Sequence, residues 1–239
     1  MSESEPKFWA VVPAAGIGRR FSADIPKQFY PLNGQLVAEH TLNRLLSLPM
    51  ISAIYTPCDI SSPHWSSVAA VKSERVQLIA GGDNRAQSVL NALIAIEEFA
   101  DQDDWVLVHD MARPCVATES ISQLIKSLSK HQVGGILAAP VNETLKRVND
   151  EKLVVETVER SQYWAAQTPQ MFRFRLLKNA IQAMLEVGRI PTDEASAIEC
   201  AGHQPQVIEG RRDNIKITRR EDLAVAAAIM QNQELEGCV

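Results

Sequence analysis

Three cations stand beside a glycine-bearing loop near the start of the chain. The apolar run from Phe8 to Val12 predicts a buried strand, which breaks into the small residues Pro13, Ala14, Ala15 and Gly16, with another glycine at Gly18. A loop of this kind leaves backbone N–H groups facing an anion, and its small side chains let a ligand approach the backbone closely. We therefore interpret the stretch as a loop for a nucleotide triphosphate. The three cations are Arg19, Arg20 and Lys27.

Two common phosphate-binding patterns do not fit this loop. A dinucleotide fingerprint needs a third glycine where Phe21 stands, and no GxxxxGKS/T pattern of the P-loop enzymes occurs in the sequence. The open alternative is an ordinary strand–turn–helix joint with solvated arginines. On the functional interpretation, Arg20 and Lys27 stabilise a phosphoryl group during displacement.

A second strand also ends in glycines and charged residues. The run Val76–Ala80 leads into Gly81 and Gly82, and the residue after them, Asp83, is of a type that favours the N-cap of a helix. We expect Asp83 to begin that helix, with Arg85 and Ser88 on its first turns. The joint is a second candidate for nucleotide contact.

A third strand, Trp105–Val108, ends in a charged turn. Pro114 prevents simple continuation into a helix, so Asp110 and Arg113 are expected on the turn itself. A carboxylate at this place suits either a metal ion or a sugar hydroxyl, and the alternative is a solvated turn residue. By themselves, Arg160 and Lys216 suit functional cations and ordinary surface charges equally well.

Alternating strands and helices favour an α/β fold with a doubly wound, mostly parallel sheet. Ligands of such sheets bind beyond the carboxyl ends of the strands, where the strand order reverses, so the three charged turns should meet at one edge. The other predicted strands are Ile51–Tyr55, Val133–Ala139, Gln206–Glu209 and Asn214–Ile217. The other predicted helices are Leu36–Leu48, Thr118–Leu128, Phe172–Val187 before a C′ Gly188, Asp193–Ala201 capped by Thr192, and Arg219–Met230 behind a Thr218–Glu221 capping box.

The pattern changes at Pro140. Residues Glu143 to Val158 are of β type, with a turn at Asn149–Lys152, and predict a hairpin. Because a hairpin is marginal in water by itself, we expect an arm that pairs with a second subunit; the alternative is a hairpin folded onto its own domain. The predicted organisation is a nucleotide-binding α/β domain of residues 1–139 and 163–239 with an arm of residues 140–162.

Composition excludes several classes of protein. The 239 residues carry a formal charge of −5 and are 46% hydrophobic, which supports a full core and does not favour nucleic-acid binding. No apolar run approaches the roughly 20 residues of a membrane span, and the polar N-terminus does not resemble a signal peptide. The cysteines lack metal-ligand or redox spacing, so we expect a reduced, cytoplasmic protein. They are Cys58, Cys115, Cys200 and Cys238.

Seven motifs, in order and spanning nearly the whole chain, resemble those of the 2-C-methyl-D-erythritol 4-phosphate cytidylyltransferase family. Each motif alone is weak, and together they are specific. They are PAAGIGRRF at 13–21, PKQ at 26–28, GGDNRAQSV at 81–89, HDMARP at 109–114, QTPQ at 167–170, TDEAS at 192–196 and GRRDNIKIT at 210–218. One departure is Met111, where the family usually has alanine, a difference that could shift nucleotide affinity.

The resemblance implies residue roles in a Rossmann-like nucleotidyltransferase site. Arg20 and Lys27 would stabilise the transition state, while Arg160 and Lys216 would grip and orient the substrate phosphate. The implied nucleotide-binding residues are Pro13, Ala14, Ala15, Gly16, Gly18, Arg19, Gly82, Asp83 and Ser88. The implied residues for the methylerythritol phosphate are Asp110, Arg113, Thr144, Thr168 and Thr192.

The resemblance also implies the reaction and its partners. The substrate phosphate would attack the α-phosphate of CTP and displace pyrophosphate, in a cytoplasmic homodimer whose arm completes the partner's site. Mg²⁺ would be held mainly by the CTP phosphates, with Asp110 near it and no side chain assigned as a ligand. No general base is required, because a phosphate monoester with a second pKa of about 6 is already ionised. Two rivals stay open: a cytidylyltransferase for another polyol phosphate such as ribitol 5-phosphate, and a non-catalytic nucleotide-binding module.

Overall fold

The computed structural model describes residues 5–16, 21 and 25–238 of the chain. Its eleven strands in this part are β1 Phe8–Val11, β2 Pro31–Leu32, β3 Gln35–Leu36, β4 Ile51–Cys58, β5 Val76–Ala80, β6 Trp105–Val108, β7 Gly134–Pro140, β8 Leu145–Val148, β9 Val154–Val158, β10 Trp164–Arg173 and β11 Gln206–Glu209. The six α-helices of the same ranges are α1 Val37–Leu46, α2 Arg85–Ile96, α3 Thr118–Leu128, α4 Phe174–Glu186, α5 Glu194–Cys200 and α6 Asp222–Glu236. None of these helices is long and apolar enough to cross a membrane.

Seven strands form the central sheet in the order β11-β7-β10-β6-β1-β4-β5. All neighbouring pairs are parallel except those of β10, which runs antiparallel to β6 and β7. The chain proceeds from β1 outward through β4 and β5, and then returns to the other side of β1 at β6. The expectation of a doubly wound, mostly parallel sheet is confirmed. The strand order of the sheet reverses between β1 and β6.

Alternating side chains of the strands build a core on each face of the sheet. On β1, Ala10 packs with α1 and α3, whereas Trp9 and Val11 pack with α2, α4 and α5. A third, smaller cluster joins α6 to the turn after β6, and Ile217 is fully buried in it. This cluster fixes the segment just before α6, which carries Lys216 into the site described below.

Strand β10 was missed by the sequence analysis, and the prediction of a helix from Phe172 was wrong at its start. The residues to Arg173 continue the strand, and α4 begins at Phe174. Pro169 cannot donate a ladder hydrogen bond, and the register shifts between Ala166 and Gln170. The proline and this irregularity hide a central strand from a search for regular alternation.

Three other predicted helix starts, those of α2, α5 and α6, also differ from the structure. The N-cap of α2 is Asn84 rather than Asp83, because its side chain accepts from the Gln87 amide at 2.9 Å. The N-cap of α5 is Asp193 rather than Thr192, in a reciprocal capping box with Ser196.

The capping box expected at Thr218 and Glu221 is replaced by contacts one residue later. The Asp222 carboxylate accepts from the Thr218 hydroxyl at 2.9 Å and from the Thr218 amide at 2.7 Å, and α6 begins at Asp222. Residues 214–217 are not a strand, since they join no sheet. They are held instead by single bonds such as Ile217 N–H to the Ala112 carbonyl at 2.8 Å.

The predicted hairpin is present. Strands β8 and β9 pair with each other antiparallel and form a separate two-stranded sheet. Apolar side chains on it are largely exposed: Val148 49%, Leu153 59%, Val154 61% and Val155 49%. Its role as a dimer arm stays a prediction, as does the division into a domain and an inserted arm.

Candidate active site

A cavity of about 210 Å³ opens at the carboxyl ends of β1, β5 and β6. The ends of β1 and β6 flank the point where the strand order reverses, which is where ligands bind in open α/β sheets, and the loop after β5 reaches past the end of β4 to join them. The three charged turns of the sequence analysis therefore do meet. The lining residues are Pro13, Ala14, Ala15, Gly16, Lys27, Gln28, Gly82, Asp83, Asn84, Arg85, Ser88, Asp110, Met111, Ala112 and Lys216.

The loop after β1 is held against its neighbours by its own backbone. The Ala14 amide donates to the Pro57 carbonyl at 2.9 Å, and the Ala14 carbonyl accepts from the Gln28 side chain at 2.9 Å. A Cβ added at Gly81 would stand 2.6 Å from the Cβ of Ala15, so a glycine is needed where the two loops approach. Gly18, Arg19 and Arg20 lie outside the described residues, and their predicted roles stay predictions.

The joint after β5 is ordered by Ser88. This buried hydroxyl accepts from the Gly82 amide at 3.0 Å and donates to the Asn84 carbonyl at 2.9 Å. The glycine loop and the first turn of α2 are thereby locked together, while Asp83 is exposed at the rim. The predicted nucleotide residues Gly82, Asp83 and Ser88 all line the cavity.

Asp110 is the buried acidic centre of the site. Lys216 Nζ lies 2.7 Å from its Oδ2, a guanidinium nitrogen of Arg85 lies 3.0 Å from its Oδ1, and Arg113 Nε lies 3.8 Å from Oδ2. Burial alone would raise the pKa of the Asp110 carboxyl, but the charges of Arg85 and then Lys216 outweigh it and hold the pKa well below its usual range. Asp110 is therefore a carboxylate that can only accept hydrogen bonds.

Arg85 ties this centre to α5. Besides Asp110, its guanidinium donates to both oxygens of Glu194, at 2.7 and 3.1 Å. Burial would lower the pKa of Arg85, but the neighbouring carboxylates, Glu194 first, raise it above its ordinary value. Arg85 is thus a fixed cation whose fork spans two acidic groups.

A buried network beneath Asp110 fixes its backbone. The Thr168 hydroxyl accepts from the Asp110 amide at 3.0 Å and lies 3.0 Å from His109 Nδ1. The other nitrogen, Nε2, faces the Arg113 carbonyl at 3.1 Å, and a carbonyl can only accept. Burial lowers the pKa of His109 from 6.5 to about 4, so the ring is neutral at pH 7 with its proton on Nε2, and Thr168 donates to Nδ1.

The segment of residues 214–217 positions both Lys27 and Lys216 at the cavity. Lys27 Nζ donates to the Ile217 carbonyl at 2.8 Å, and Lys216 is the residue next to it. Arg113 donates to the Asn214 carbonyl at 2.7 Å, which fixes the same segment from the other side. A stretch without regular secondary structure thus positions two of the predicted catalytic lysines.

Five predicted site residues of the described ranges do not line this cavity: Arg113, Thr144, Arg160, Thr168 and Thr192. The Arg113 guanidinium donates to the Asn214 and Ala166 carbonyls. Thr144 and Arg160 are exposed on the hairpin, where the Arg160 guanidinium contacts the Asn142 carbonyl, and Thr192 is exposed before α5. Thr168 lies under the cavity, with its hydroxyl used by Asp110 and His109.

The sequence analysis gave no site role to Arg85 or Glu194. Arg85 carried a signal, since it begins a helix directly after two glycines, but it was noted only for its place on the first turn. Glu194 stands in the TDEAS motif, yet nothing in the sequence shows that its side chain is 1% exposed and turned inward. Arg85 and Glu194 are 109 positions apart in the sequence, so their pairing is visible only in the fold.

Comparison with known proteins agrees with the motifs. The sequence model described as "IspD: 2-C-methyl-D-erythritol 4-phosphate cytidylyltransferase" matches residues 8–232. The chain belongs to this family. The resemblance inferred from the motifs is therefore confirmed, and the α/β nucleotidyltransferase fold with it.

Curated cytidylyltransferases of the family match over nearly their full length. The protein named 2-C-methyl-D-erythritol 4-phosphate cytidylyltransferase from Hahella chejuensis is 48% identical over 237 residues, covering 98% of each chain. That of Pseudomonas fluorescens strain Pf0-1 is 46% identical over 224 residues, covering 93% of this chain and 95% of its own.

Solved cytidylyltransferase structures share the fold. The enzyme of Francisella tularensis superposes with a TM-score of 0.80 at 38% identity, covering 93% of this chain and 99% of its own. A structure titled 4-diphosphocytidyl-2C-methyl-D-erythritol synthase gives a TM-score of 0.81 at 32% identity, covering 95% and 100%.

The His109 network predicts a pH dependence of stability. The unfolded chain binds a proton at His109 below its ordinary pKa of 6.5, whereas the folded chain does so only below about 4. The free energy of unfolding should therefore fall as the pH drops from 6.5 towards 4, by up to about 1.4 kcal/mol per pH unit from this group. Urea unfolding at pH 7 and at pH 5 measures this change in the free energy of unfolding.

The comparison variant is His109→Gln, which cannot titrate, with exposed His203→Gln as its control. We expect a shallower loss of stability between pH 7 and pH 5 in His109→Gln and an unchanged loss in His203→Gln. Equal pH dependence in His109→Gln and the unaltered protein would contradict the neutral, buried state of His109.

Proposed function

We propose that this chain transfers the cytidylyl group of CTP to 2-C-methyl-D-erythritol 4-phosphate, giving 4-diphosphocytidyl-2-C-methyl-D-erythritol and pyrophosphate. The observation that carries the proposal is the meeting of two glycine-bearing loops, two lysines and a cation-bound carboxylate in one cavity at the strand-order reversal. Membership of the family supplies the substrates. The enzyme is accordingly a nucleotidyltransferase.

The nucleotide lies along the two loops in this proposal. The triphosphate contacts the backbone from Pro13 to Gly16, where small side chains permit close approach. Cytosine and ribose contact Gly82, Asp83 and Ser88 at the start of α2. Gly18, Arg19 and Arg20 belong to the same proposal through the motif alone.

The polyol lies against Asp110 and Arg113. An ionised Asp110 accepts hydrogen bonds from hydroxyl groups, and such charge-assisted bonds are stronger than neutral ones. Lys216 is 40% exposed in its side chain, so its ammonium can bind an incoming phosphate while staying near Asp110.

Positioning and charge then drive the transfer. An oxygen of the polyol phosphate attacks the α-phosphorus of CTP, a new P–O bond forms, and the bond to the β-phosphate oxygen breaks with its electrons leaving on pyrophosphate. Lys27 and Arg20 stabilise the charge that develops on the α-phosphoryl oxygens. No proton must be removed from the nucleophile, since a phosphate monoester with a second pKa of about 6 is already ionised at neutral pH.

We propose that a magnesium ion enters this site together with the nucleotide. Magnesium usually retains waters and binds through one or two carboxylates and substrate phosphates. No cluster of three or more potential side-chain ligands occurs in residues 5–16, 21 and 25–238, and both oxygens of Asp110 already face cations. When bound across the triphosphate, the ion would neutralise part of its charge and orient it.

We propose a homodimer in which the hairpin reaches the partner's cavity. The hairpin presents exposed valines and leucine together with Thr144 and Arg160, none of which reaches the cavity of its own chain. A partner's Arg160 would add a guanidinium for the substrate phosphate, a geometry that suits bidentate binding. The proposed compartment is the cytoplasm, consistent with the four cysteines being unpaired in the structure.

Substrate choice is tested by supplying CTP and Mg²⁺ with either 2-C-methyl-D-erythritol 4-phosphate or ribitol 5-phosphate. We expect pyrophosphate release with the methylerythritol compound and little with ribitol phosphate. Release with ribitol phosphate alone would replace the proposed substrate. CTP binding without pyrophosphate release from any polyol phosphate would instead indicate a nucleotide-binding module.

The arm is tested by mixing two variants that we expect to have lost most of their turnover, Lys27→Ala and Arg160→Ala. A mixed dimer has one site with neither change if Arg160 acts across the subunit interface, so subunit exchange should restore roughly a quarter of wild-type turnover. The control is each variant incubated alone under the same conditions. If the mixture is no more active than its components, or Arg160→Ala alone is fully active, the crossed arm is wrong.

A further inference from the structure

Glu194 is a fully buried acidic residue beside the site, to which the proposed reaction assigns no role. It is the first residue of α5, its exposure is 1%, and both of its oxygens accept from Arg85. Isolated buried carboxylates are costly, and even paired ones often contribute little to stability. The presence of this pair against the cavity therefore calls for a reason other than stability.

Helix α5 has other means of docking. Its N-terminus is closed by the reciprocal capping box of Asp193 and Ser196, and its Ala195 amide donates to the Gln170 side chain at 2.8 Å. Ala197 and Ile198 are fully buried on its inner face. The carboxylate of Glu194 is thus not needed to hold the helix against the sheet.

The Arg85 fork connects Glu194 to Asp110. Its terminal nitrogens face the two Glu194 oxygens, and its Nε donates to Asp110 Oδ1 at 3.1 Å. An Arg85 released from Glu194 could turn its fork onto Asp110 and engage both oxygens, as arginine does with carboxylates. Asp110 Oδ2, the oxygen that now faces Lys216, would then be bound by Arg85 and would no longer be available to the substrate hydroxyls.

We propose that Glu194 is a positioning residue for the polyol phosphate: by holding the fork of Arg85, it keeps Asp110 oriented and available to the substrate hydroxyls. The inference rests on the proposed function, in which Asp110 binds the polyol. Glu194 itself touches no substrate, and its effect passes through Arg85.

The test is the kinetics of Glu194→Gln with each substrate varied in turn. We expect KM for 2-C-methyl-D-erythritol 4-phosphate to rise about tenfold or more, because displaced binding groups cost one to two orders of magnitude. KM for CTP should change less than about threefold, since the loop contacts of Ser88 and Asn84 are untouched. A purely structural role would lower the melting temperature and leave the ratio of the two KM values unchanged, which would overturn the inference.

The matched control is Glu97→Gln, at the residue that directly follows the other end of α2. Glu97 also pairs with a cation on a neighbouring helix, Lys178 of α4, but lies away from the cavity. Its loss should leave both KM values unchanged. A rise in the polyol KM of Glu97→Gln equal to that of Glu194→Gln would show that any ion pair of α2 has this effect, and would refute a specific role.

A second variant, Arg85→Lys, keeps the inference testable if Glu194→Gln does not fold. A single ammonium cannot span both carboxylates, so the same selective rise in the polyol KM is expected, and adding Glu194→Gln to it should have little further effect. Additive effects on the polyol KM would contradict action through Arg85.

The outcome for the proposed function is separate. If the wild-type protein shows no turnover with the polyol phosphate, the proposed function is wrong. If the wild type is active and Arg85→Lys has the wild-type KM for the polyol phosphate, only this inference is wrong.

Discussion

The charge of Asp110 is the constraint on which the rest of the site depends. A carboxylate 8% exposed at the end of a central strand requires cations within reach, and three separate parts of the chain supply them. Arg85 comes from the first turn of α2, Arg113 from the turn after β6 and Lys216 from the segment before α6. The sheet order, the cap of α2 and the packing of α6 all serve to hold these cations around one group.

The same arrangement explains how an acidic protein can bind two phosphorylated substrates. The overall charge of −5 gives no general attraction for anions, so the cations must be concentrated locally. The neighbouring carboxylates of Glu194 and Asp110 outweigh the effect of burial and keep Arg85 charged. Lys216 belongs to the segment of residues 214–217, and Lys27 donates to the Ile217 carbonyl of the same segment. The positive groups are thereby preorganised, which is the main way that phosphoryl transfer is accelerated.

Sequence reasoning predicted the sheet edge at which the cavity lies, because three charged turns follow short buried strands and the carboxyl ends of parallel strands share one edge. It failed where the determining contact is distant or irregular. Strand β10 was hidden by Pro169, and residues 214–217, although β-like in composition, are fixed by bonds to Ala112 and Lys27 that no local pattern reveals. Helix starts shifted by one residue because Asp83, Asn84, Thr192 and Asp193 are all good caps, and the tertiary geometry selects between neighbours. Glu194 was passed over because an acidic residue on a helix is usually solvated.

The most direct test of the central claim is the kcat/KM of Asp110→Asn for 2-C-methyl-D-erythritol 4-phosphate at saturating CTP, measured on protein shown to be folded by its thermal transition. Asparagine keeps the size of the side chain and removes the charge that holds the cations and that, in the proposed function, accepts hydrogen bonds from the polyol hydroxyls. The account predicts a loss of at least about a hundredfold, since hydrogen bonds to a charged group contribute about 1.5–3 kcal/mol each. A folded Asp110→Asn protein that used the polyol phosphate as well as the unaltered enzyme would contradict it.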